Sequence, residues 1–321
     1  MRTLVTGGHG FIGKYVIERL LADDREVMVL DPHGERSPLP DVDHWFGDIR
    51  DDVMVTEAMA HADSWIHLGG VLGTQETILN PRPAAQTNIL GGLNMFEAAA
   101  QYDLPGVNIA VGNWWMNNTY SISKNSAERF AEMFNKERGT HINIVRALNA
   151  YGPRQICAAP YGIGKVRKIM PAFTCRAILG EPIEIYGDGH QIMDMVYVDD
   201  VAMVLVESLR MAEAGNIPTV EAEQPDGTTQ TQQAIIEVGS CRATSVIDIA
   251  NEVLRNVDNP QAIQHVPMRP GEPPSSVVLG HEHMLLTAGF EPSDLVTLEE
   301  GVRRTVAHYK ETLGIDWHAP A

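Results

Sequence analysis

Leu4-Val5-Thr6-Gly7-Gly8-His9-Gly10-Phe11-Ile12-Gly13 sets an apolar strand, a glycine turn and the start of a helix in one continuous run. Each glycine answers a different steric demand. Gly7 or Gly8 lets the chain reverse tightly, Gly10 lets the backbone approach a pyrophosphate, and Gly13 lets the new helix pack closely on its strand. The helix N-terminus then faces the phosphates, which makes Phe11 and Ile12 expected cofactor contacts beside Gly7, Gly10 and Gly13. A glycine triplet alone is common. This one follows a strand and opens the amphipathic run Phe11 to Leu21, the setting in which the pattern marks a dinucleotide site.

Asp31 lies eighteen residues past Gly13, at the end of a second apolar strand, Glu26-Val27-Met28-Val29-Leu30. A carboxylate there accepts hydrogen bonds from the adenosine 2′-hydroxyl and repels a 2′-phosphate, so the expected cofactor is NAD rather than NADP. A turn-forming Asp before Pro32 is the plainer alternative; strand and spacing favour the ribose role.

The 321 residues, 44% of them apolar, suffice for one large or two modest domains with a real core. The first residues do not resemble a signal peptide and no apolar run spans a bilayer, so a soluble cytoplasmic protein without a membrane partner is expected. Three cysteines, Cys157, Cys175 and Cys241, lack metal-type spacing and suit a reducing compartment. His281-Glu282-His283 reads as surface rather than as a metal site. A formal net charge of -18 argues against sequence-independent nucleic-acid binding. A dianionic small ligand would need local cations, for which Lys165, Arg167, Lys168 and Arg269 are the candidates.

From Arg2 to about Arg146, apolar strands alternate with helical patterns, which predicts a doubly wound parallel α/β sheet. Trp45-Phe46-Gly47-Asp48-Ile49-Arg50 ends a third strand. Asp48 and Ile49 are placed at the adenine edge, with Asp48 equally readable as a solvated cap before the helix Asp51 to Ala60. A fourth strand, Ser64 to Leu68, runs into Gly69-Gly70, where Leu68 and the two small residues would let a cofactor cross the sheet edge. A helix from about Pro83 to Tyr102 carries Asn88, a further expected cofactor contact, near its start. It is more apolar than one core-facing stripe requires, so its extra surface should pack on another helix, in this chain or a second subunit. Strand five, Val107 to Val111, stops at Gly112-Asn113. The polar stretch Pro218 to Gln233 reads as a solvated loop, and Thr297-Leu-Glu-Glu300 as a capping box.

Tyr120-Ser121-Ile122-Ser123-Lys124 opens a helix that continues through Glu128, Phe130, Met133 and Phe134, so Tyr120 and Lys124 share a face. A lysine cation near a phenol favours phenolate, which would lower the tyrosine pKa and make it a usable base near neutrality. One helix after strand five, the pair stands where a nicotinamide ring would be.

With these motifs in place the chain resembles the extended short-chain dehydrogenase/reductases, in their NAD-dependent nucleotide-sugar epimerase/dehydratase branch. The resemblance also rests on Arg146-Ala-Leu-Asn149-Ala-Tyr151-Gly152-Pro153-Arg154, Ile185-Tyr186-Gly187-Asp188-Gly189, Tyr197-Val198-Asp199-Asp200-Val201, Val238-Gly239-Ser240 and Arg269-Pro270-Gly271-Glu272. It implies a Rossmann-type NAD-binding domain over residues 1–150, with later segments woven back in, and a smaller α/β substrate domain mainly over 151–321. It implies that Tyr120 takes a proton from a sugar hydroxyl while the carbon's hydride moves to NAD, with Lys124 holding the cofactor ribose. Asn149 and Arg269 are the implied contacts to a nucleotide-sugar partner. A homodimer formed by helices 83–102 and 121–138 is implied as well.

Two positions depart from the family pattern. The family places Ser or Thr at the end of strand five, where this chain reads Gly112-Asn113-Trp114-Trp115; Asn113 is the expected substitute ahead of Thr119, which adjoins Tyr120, and the Trp pair reads as packing or as a sugar platform. No carboxylate lies between Gly112 and Tyr120, which weakens a dehydratase reading and leaves epimerisation favoured. Met193 stands where the family has an arginine for the ligand's pyrophosphate. An NAD-dependent epimerase and a non-catalytic NAD-binding regulator therefore both remain open at this point, with intact Tyr120 and Lys124 favouring the enzyme.

Overall fold

A computed structural model of the chain describes residues 1–33, 41–223, 226–257 and 262–313. Its centre is a seven-stranded sheet of β1 (Arg2–Thr6), β2 (Glu26–Leu30), β3 (Val42–Trp45), β4 (Ser64–His67), β5 (Gly106–Val111), β6 (Ile142–Ala147) and β7 (Ile236–Val238). The spatial order is β7-β6-β5-β4-β1-β2-β3, every neighbouring pair being parallel. This is the expected Rossmann arrangement. The order reverses between β1 and β4, the point at whose carboxyl-terminal edge sheets of this order bind their ligands.

Both faces of the sheet are covered, which is why its strands read as continuous apolar runs. Val5, Val29, Ile66, Val107 and Val145 pack under the helices Phe11–Ala22 and Val198–Glu213. On the other face Leu4, Met28, Trp65, Ala110 and Ile144 meet Met59, Phe96, Ala131 and Phe134 from the helices Asp52–Ala60, Gly91–Tyr102 and Thr119–Arg138. Burying one such side chain contributes roughly 1.5–3 kcal/mol. A third core joins Phe173, Ile185, Tyr197 and Ile249 to Val302 and Val306 of the helix Leu298–Thr312.

Four local expectations are adjusted. The helix expected from Pro83 begins at Pro81 and passes through a π segment, Ala85–Leu90, before Gly91–Tyr102, so Asn88 sits on a widened turn. The stretch read as a loop is an antiparallel hairpin, Thr219–Glu223 on Thr229–Gln233; Asp226 turns it by accepting from the Thr228 amide at 2.9 Å. Gln224 and Pro225 lie outside the described residues. Thr297 caps its helix by accepting from Glu300 N, but Glu300 turns to Arg303 and Arg304, so only half of the capping box forms. Asp48 is no helix cap: Asp51 accepts from Val53 N and Met54 N instead. Among the described residues no helix is long and apolar enough to cross a membrane.

Candidate active site

The glycine turn is held by contact. Gly7 has φ +69°, and a Cβ on it would lie 2.8 Å from Gly69 N, so the β1 turn and the β4 exit touch backbone to backbone. A Cβ on Gly13 would lie 2.6 Å from the carbonyl oxygens of Gly7 and Gly8, which would push the helix off the turn. Gly10 caps the helix Phe11–Ala22 with no side-chain hydrogen bond, leaving the first amides beside Phe11 and Ile12 directed at a ligand. Asp31 is buried at the end of β2 and accepts from His9 N at 3.2 Å and His33 N at 2.9 Å, which ties its carboxylate to the glycine turn. Asp48 pairs with Arg50, whose guanidinium holds its carboxyl below the usual range. Ile49 is buried and its side chain abuts Gly91.

At the β4 exit, Thr6 Oγ1 lies 2.7 Å from His67 Nδ1 and accepts from Gly69 N at 3.2 Å. His67 is fully buried, and burial followed by the nearby Lys124 charge lowers its pKa to about 3, so the ring is neutral at physiological pH. Beyond Leu68 and Gly69, Gly70 leaves room for Asn88. The Asn88 carboxamide accepts from Val71 N at 2.8 Å and donates to Val71 O and Ser123 Oγ at 3.0 and 2.9 Å. Ser123 Oγ in turn donates to the Tyr120 carbonyl at 3.0 Å. Asn88 thus braces the β4 loop against the helix that carries Tyr120 and Lys124.

Asn118 caps that helix, its Oδ1 accepting from Ser121 N at 3.0 Å. Lys124 is 4% exposed, and burial lowers its pKa to about 8, with the Glu128 carboxylate opposing the shift. Tyr120 departs from expectation: burial pushes its phenol up to about 12. Sequence spacing places the two residues on one face but is silent on solvation, and in the protein alone desolvation dominates the phenol.

Asn113 opens the turn after β5, where its carbonyl accepts from Met116 N at 3.0 Å and its Nδ2 approaches Met116 Sδ at 3.3 Å. Its Oδ1 is buried without a hydrogen-bond partner, as are Asn118 Nδ2 and Ser121 Oγ at the start of the adjoining helix. Buried polar atoms are nearly always paired, so these three unpartnered atoms, all within residues 113–121, are exceptions. Trp114 stacks over Arg146, 4.9 Å from guanidinium carbon to ring centre. Arg146 is fixed in turn by Glu128 at 2.8 Å and Glu237 at 3.1 Å, linking the Tyr120 helix to β7.

In the second half of the chain Arg269 pairs with Glu272 and lies 4.9 Å over the Tyr186 ring, while Arg167 donates to Tyr186 Oη at 2.5 Å. Lys168 has no ion-pair partner among the described residues; burial and then the Arg269 charge lower its pKa against the opposing pulls of Glu76 and Glu272. The Arg269 turn reaches the Tyr120 helix. A Cβ on Gly271 would stand 2.6 Å from Ile78 Cδ1 and 3.7 Å from Asn118 Cβ. Asn149 donates its Nδ2 to the Asp194 carbonyl at 3.0 Å. Met193 packs at the edge of the third core, and the fully buried Asp194 carboxylate gathers Ser240 N, Cys241 N and Gly280 N. Sequence reasoning missed His67, Ser123, Glu128 and Glu237, whose partners are far apart in the chain. His281, read as surface, is largely exposed and meets Glu237 at 2.7 Å; among the described residues no metal-holding cluster is present.

A comparison with protein families matches residues 3–112 and 110–220 to the NAD dependent epimerase/dehydratase family. The chain belongs to that family. Among curated relatives, a dTDP-glucose 4,6-dehydratase of Streptomyces antibioticus is 29% identical over 229 residues, 62% of this chain and 66%, just under two thirds, of that enzyme. Among solved structures, UDP-glucose 4-epimerase of Thermotoga maritima with UDP-glucose superposes with a TM-score of 0.82 at 26% identity, covering 98% of this chain and 100% of that one. The Thermus thermophilus UDP-glucose 4-epimerase in complex with NAD gives 0.79 at 27% identity, covering 97% and 99%. NAD is the cofactor, and the cradle fits it: a Cβ on Gly7, Gly10 or Gly13 would come within 3.0 Å of backbone, the helix start has no side-chain cap, and the buried Asp31 carboxylate is tied to the glycine turn. The family's enzymes include epimerases and dehydratases, so the chain is an enzyme of this epimerase/dehydratase class.

Proposed function

We propose that the protein is a nucleotide-sugar epimerase working through a transient keto-sugar. The reading rests on Asn113, whose buried Oδ1 has no partner on a turn that adjoins the Tyr120 helix and carries no carboxylate before Tyr120. An amide oxygen there accepts from a sugar hydroxyl and orients it, while elimination of water would need an acid that this turn lacks. NAD supplies the hydride acceptor of the oxidation step. Tyr120, a phenol in the protein alone, must first give its proton to water, and the phenolate then takes the hydroxyl proton and later returns it. Lys124, mostly ammonium at neutral pH with its pKa near 8, holds the nicotinamide ribose and stabilises phenolate once Tyr120 has lost its proton. Leu68, Gly69, Gly70 and Asn88 shape the path of the cofactor at the sheet edge, and Asp48 and Ile49 that of the adenine.

The substrate class follows from the cations in the second half of the chain. Arg269 is paired with Glu272, Arg167 with Glu184, and Lys168 feels the Arg269 charge; a diphosphate would draw these cations from their carboxylates, and Asn149 is assigned to the same ligand. Residues 1–150 are accordingly assigned to NAD binding and 151–321 mainly to substrate binding. Leu90, Ile122 and Met133 are exposed on the helical surface of segments 85–102 and 119–138, and we assign that surface to a homodimer; a light-scattering mass of one chain would refute the assignment.

The test is a panel of UDP- and dTDP-sugars followed by chromatographic separation of products. A C-epimer formed without net change in NAD supports the reading, and Tyr120→Phe should abolish it while leaving NAD affinity within a few-fold. A dehydrated 4-keto product would replace the epimerase reading with a lyase.

A further inference from the structure

We infer that Cys157 and Cys175 are a built disulfide-forming pair, closing the segment that carries Arg167 and Lys168. The two sulfurs lie 2.7 Å apart, with no room for an intervening atom. Cys157 is 2% exposed, Cys175 not at all, and both belong to a small closed cluster with Tyr161 and Tyr309. Cys175 stands inside the helix Ile169–Ile178, and Cys157 sits in the irregular segment before it, where its carbonyl accepts from Gly164 N at 2.8 Å. The helix Leu298–Thr312 reaches over the same place, with Tyr309 donating to the Gln155 carbonyl. Both ends of the bond are therefore held by independent contacts. Cys241 lies elsewhere, donating weakly toward the Gly239 carbonyl beside the Asp194 nest.

The chemistry is a two-step exchange with a low-molecular-weight disulfide such as glutathione disulfide. The Cys157 thiol loses its proton and its thiolate attacks one sulfur, forming a mixed disulfide and releasing one glutathione thiolate. The Cys175 thiolate then attacks the Cys157 sulfur and releases the second. Two protein thiols are oxidised, losing two protons, and one glutathione disulfide is reduced to two glutathiones. Contact with Cys157, with burial second, pushes the Cys175 thiol up, so Cys175 in the folded protein holds little thiolate. Exchange must await opening of the segment or take place during folding.

The consequence is a covalent loop from Cys157 to Cys175 containing Lys165, Arg167 and Lys168. The inference does not depend on what those cations bind. It is tested on the full chain, equilibrated in oxidised or reduced glutathione, quenched in acid, unfolded and alkylated, with peptide mapping by mass spectrometry. The expected result is three alkylated cysteines from the reduced sample and one, Cys241, from the oxidised sample, with a linked peptide joining Cys157 to Cys175. Cys241→Ser should leave no alkylated cysteine after oxidation. The oxidised chain should also melt a few degrees above the reduced one, a difference that Cys175→Ala removes. Three free thiols under oxidising conditions, a stable glutathione adduct on either cysteine, or a bond to Cys241 overturns the pair; if Cys175→Ala fails to fold, the map of the unaltered chain decides alone.

Discussion

Asn88, on the π segment Ala85–Leu90, donates to Ser123 across 2.9 Å and so links the loop leaving β4, through Val71, to the helix that presents Tyr120 and Lys124. The remaining Asn88 hydrogen bonds go to both backbone atoms of Val71. Replacing Asn88 by Ala strands a buried amide and carbonyl, a loss of about 1–3 kcal/mol. Denaturant unfolding of Asn88→Ala, Ser123→Ala and the double variant should give a coupling of at least about 0.5 kcal/mol. A strictly additive cycle would mean that loop and helix are held together by packing alone.

Asp31 gives a prediction on cofactor choice. Its buried carboxylate, already tied to two amides, has no means of accommodating a second negative charge, so NAD should bind more than tenfold tighter than NADP by calorimetry. Asp31→Asn keeps hydrogen-bonding capacity and removes charge; it should narrow the gap, chiefly by improving NADP. Equal affinities in the unaltered protein would remove Asp31 from the ribose site.

Lys124 predicts a pH dependence with a definite sign. Its pKa is lowered from 10.5 to about 8, so between pH 8 and 10.5 the unfolded chain binds the proton and the folded chain does not. Stability from this group therefore rises with pH across that window, at up to about 1.4 kcal/mol per unit. Tyr120, raised from 10.0 to about 12, works oppositely above pH 10, because there the folded state keeps a proton the unfolded state loses. Unfolding free energies of wild type minus Lys124→Met, measured at pH 7.5, 8.5 and 9.5, should climb. A flat difference would mean that Lys124 is better solvated than its burial indicates.

The Arg269–Glu272 pair predicts opposite effects from its two members. A diphosphate must draw the guanidinium away from Glu272, or bind it from the other side while Glu272 repels. With UDP as the probe, Arg269→Ala should weaken binding more than tenfold, since losing one partner of a charged contact costs roughly 2–5 kcal/mol, and Glu272→Gln should tighten it. Lys168→Met should weaken UDP as well, with NAD affinity spared in all three. Unchanged UDP affinity in Arg269→Ala would put the phosphates elsewhere.

What was legible in the sequence was what lies close along it. Gly7, Gly10, Gly13 and Asp31 act through turn geometry and strand ends, and Tyr120 and Lys124 through one helical turn; these patterns survive any packing around them. The brace from Asn88 to Ser123 spans 35 residues and the bond from Arg146 to Glu237 spans 91, so neither exists until the sheet order is known. The phenol of Tyr120 was misjudged for a related reason: charge neighbours can be read from spacing, whereas the water removed from around a group depends on the whole fold. The hairpin at Thr219–Glu223 was hidden by its polarity, although Asp226-Gly227 between Thr-rich arms is a turn signal.

The late arrival of β7 shapes how the protein is made. β6 ends at Ala147, yet its outer neighbour, Ile236–Val238, leaves the ribosome some ninety residues afterwards. Until then a nascent chain carries an open strand edge from Val145 to Ala147, the sort of edge that recruits strands from other molecules. Arg146 meanwhile has Glu128 but not Glu237. A fragment ending near residue 150 should therefore be prone to self-association, and the sheet is completed only when the second half of the chain returns to it.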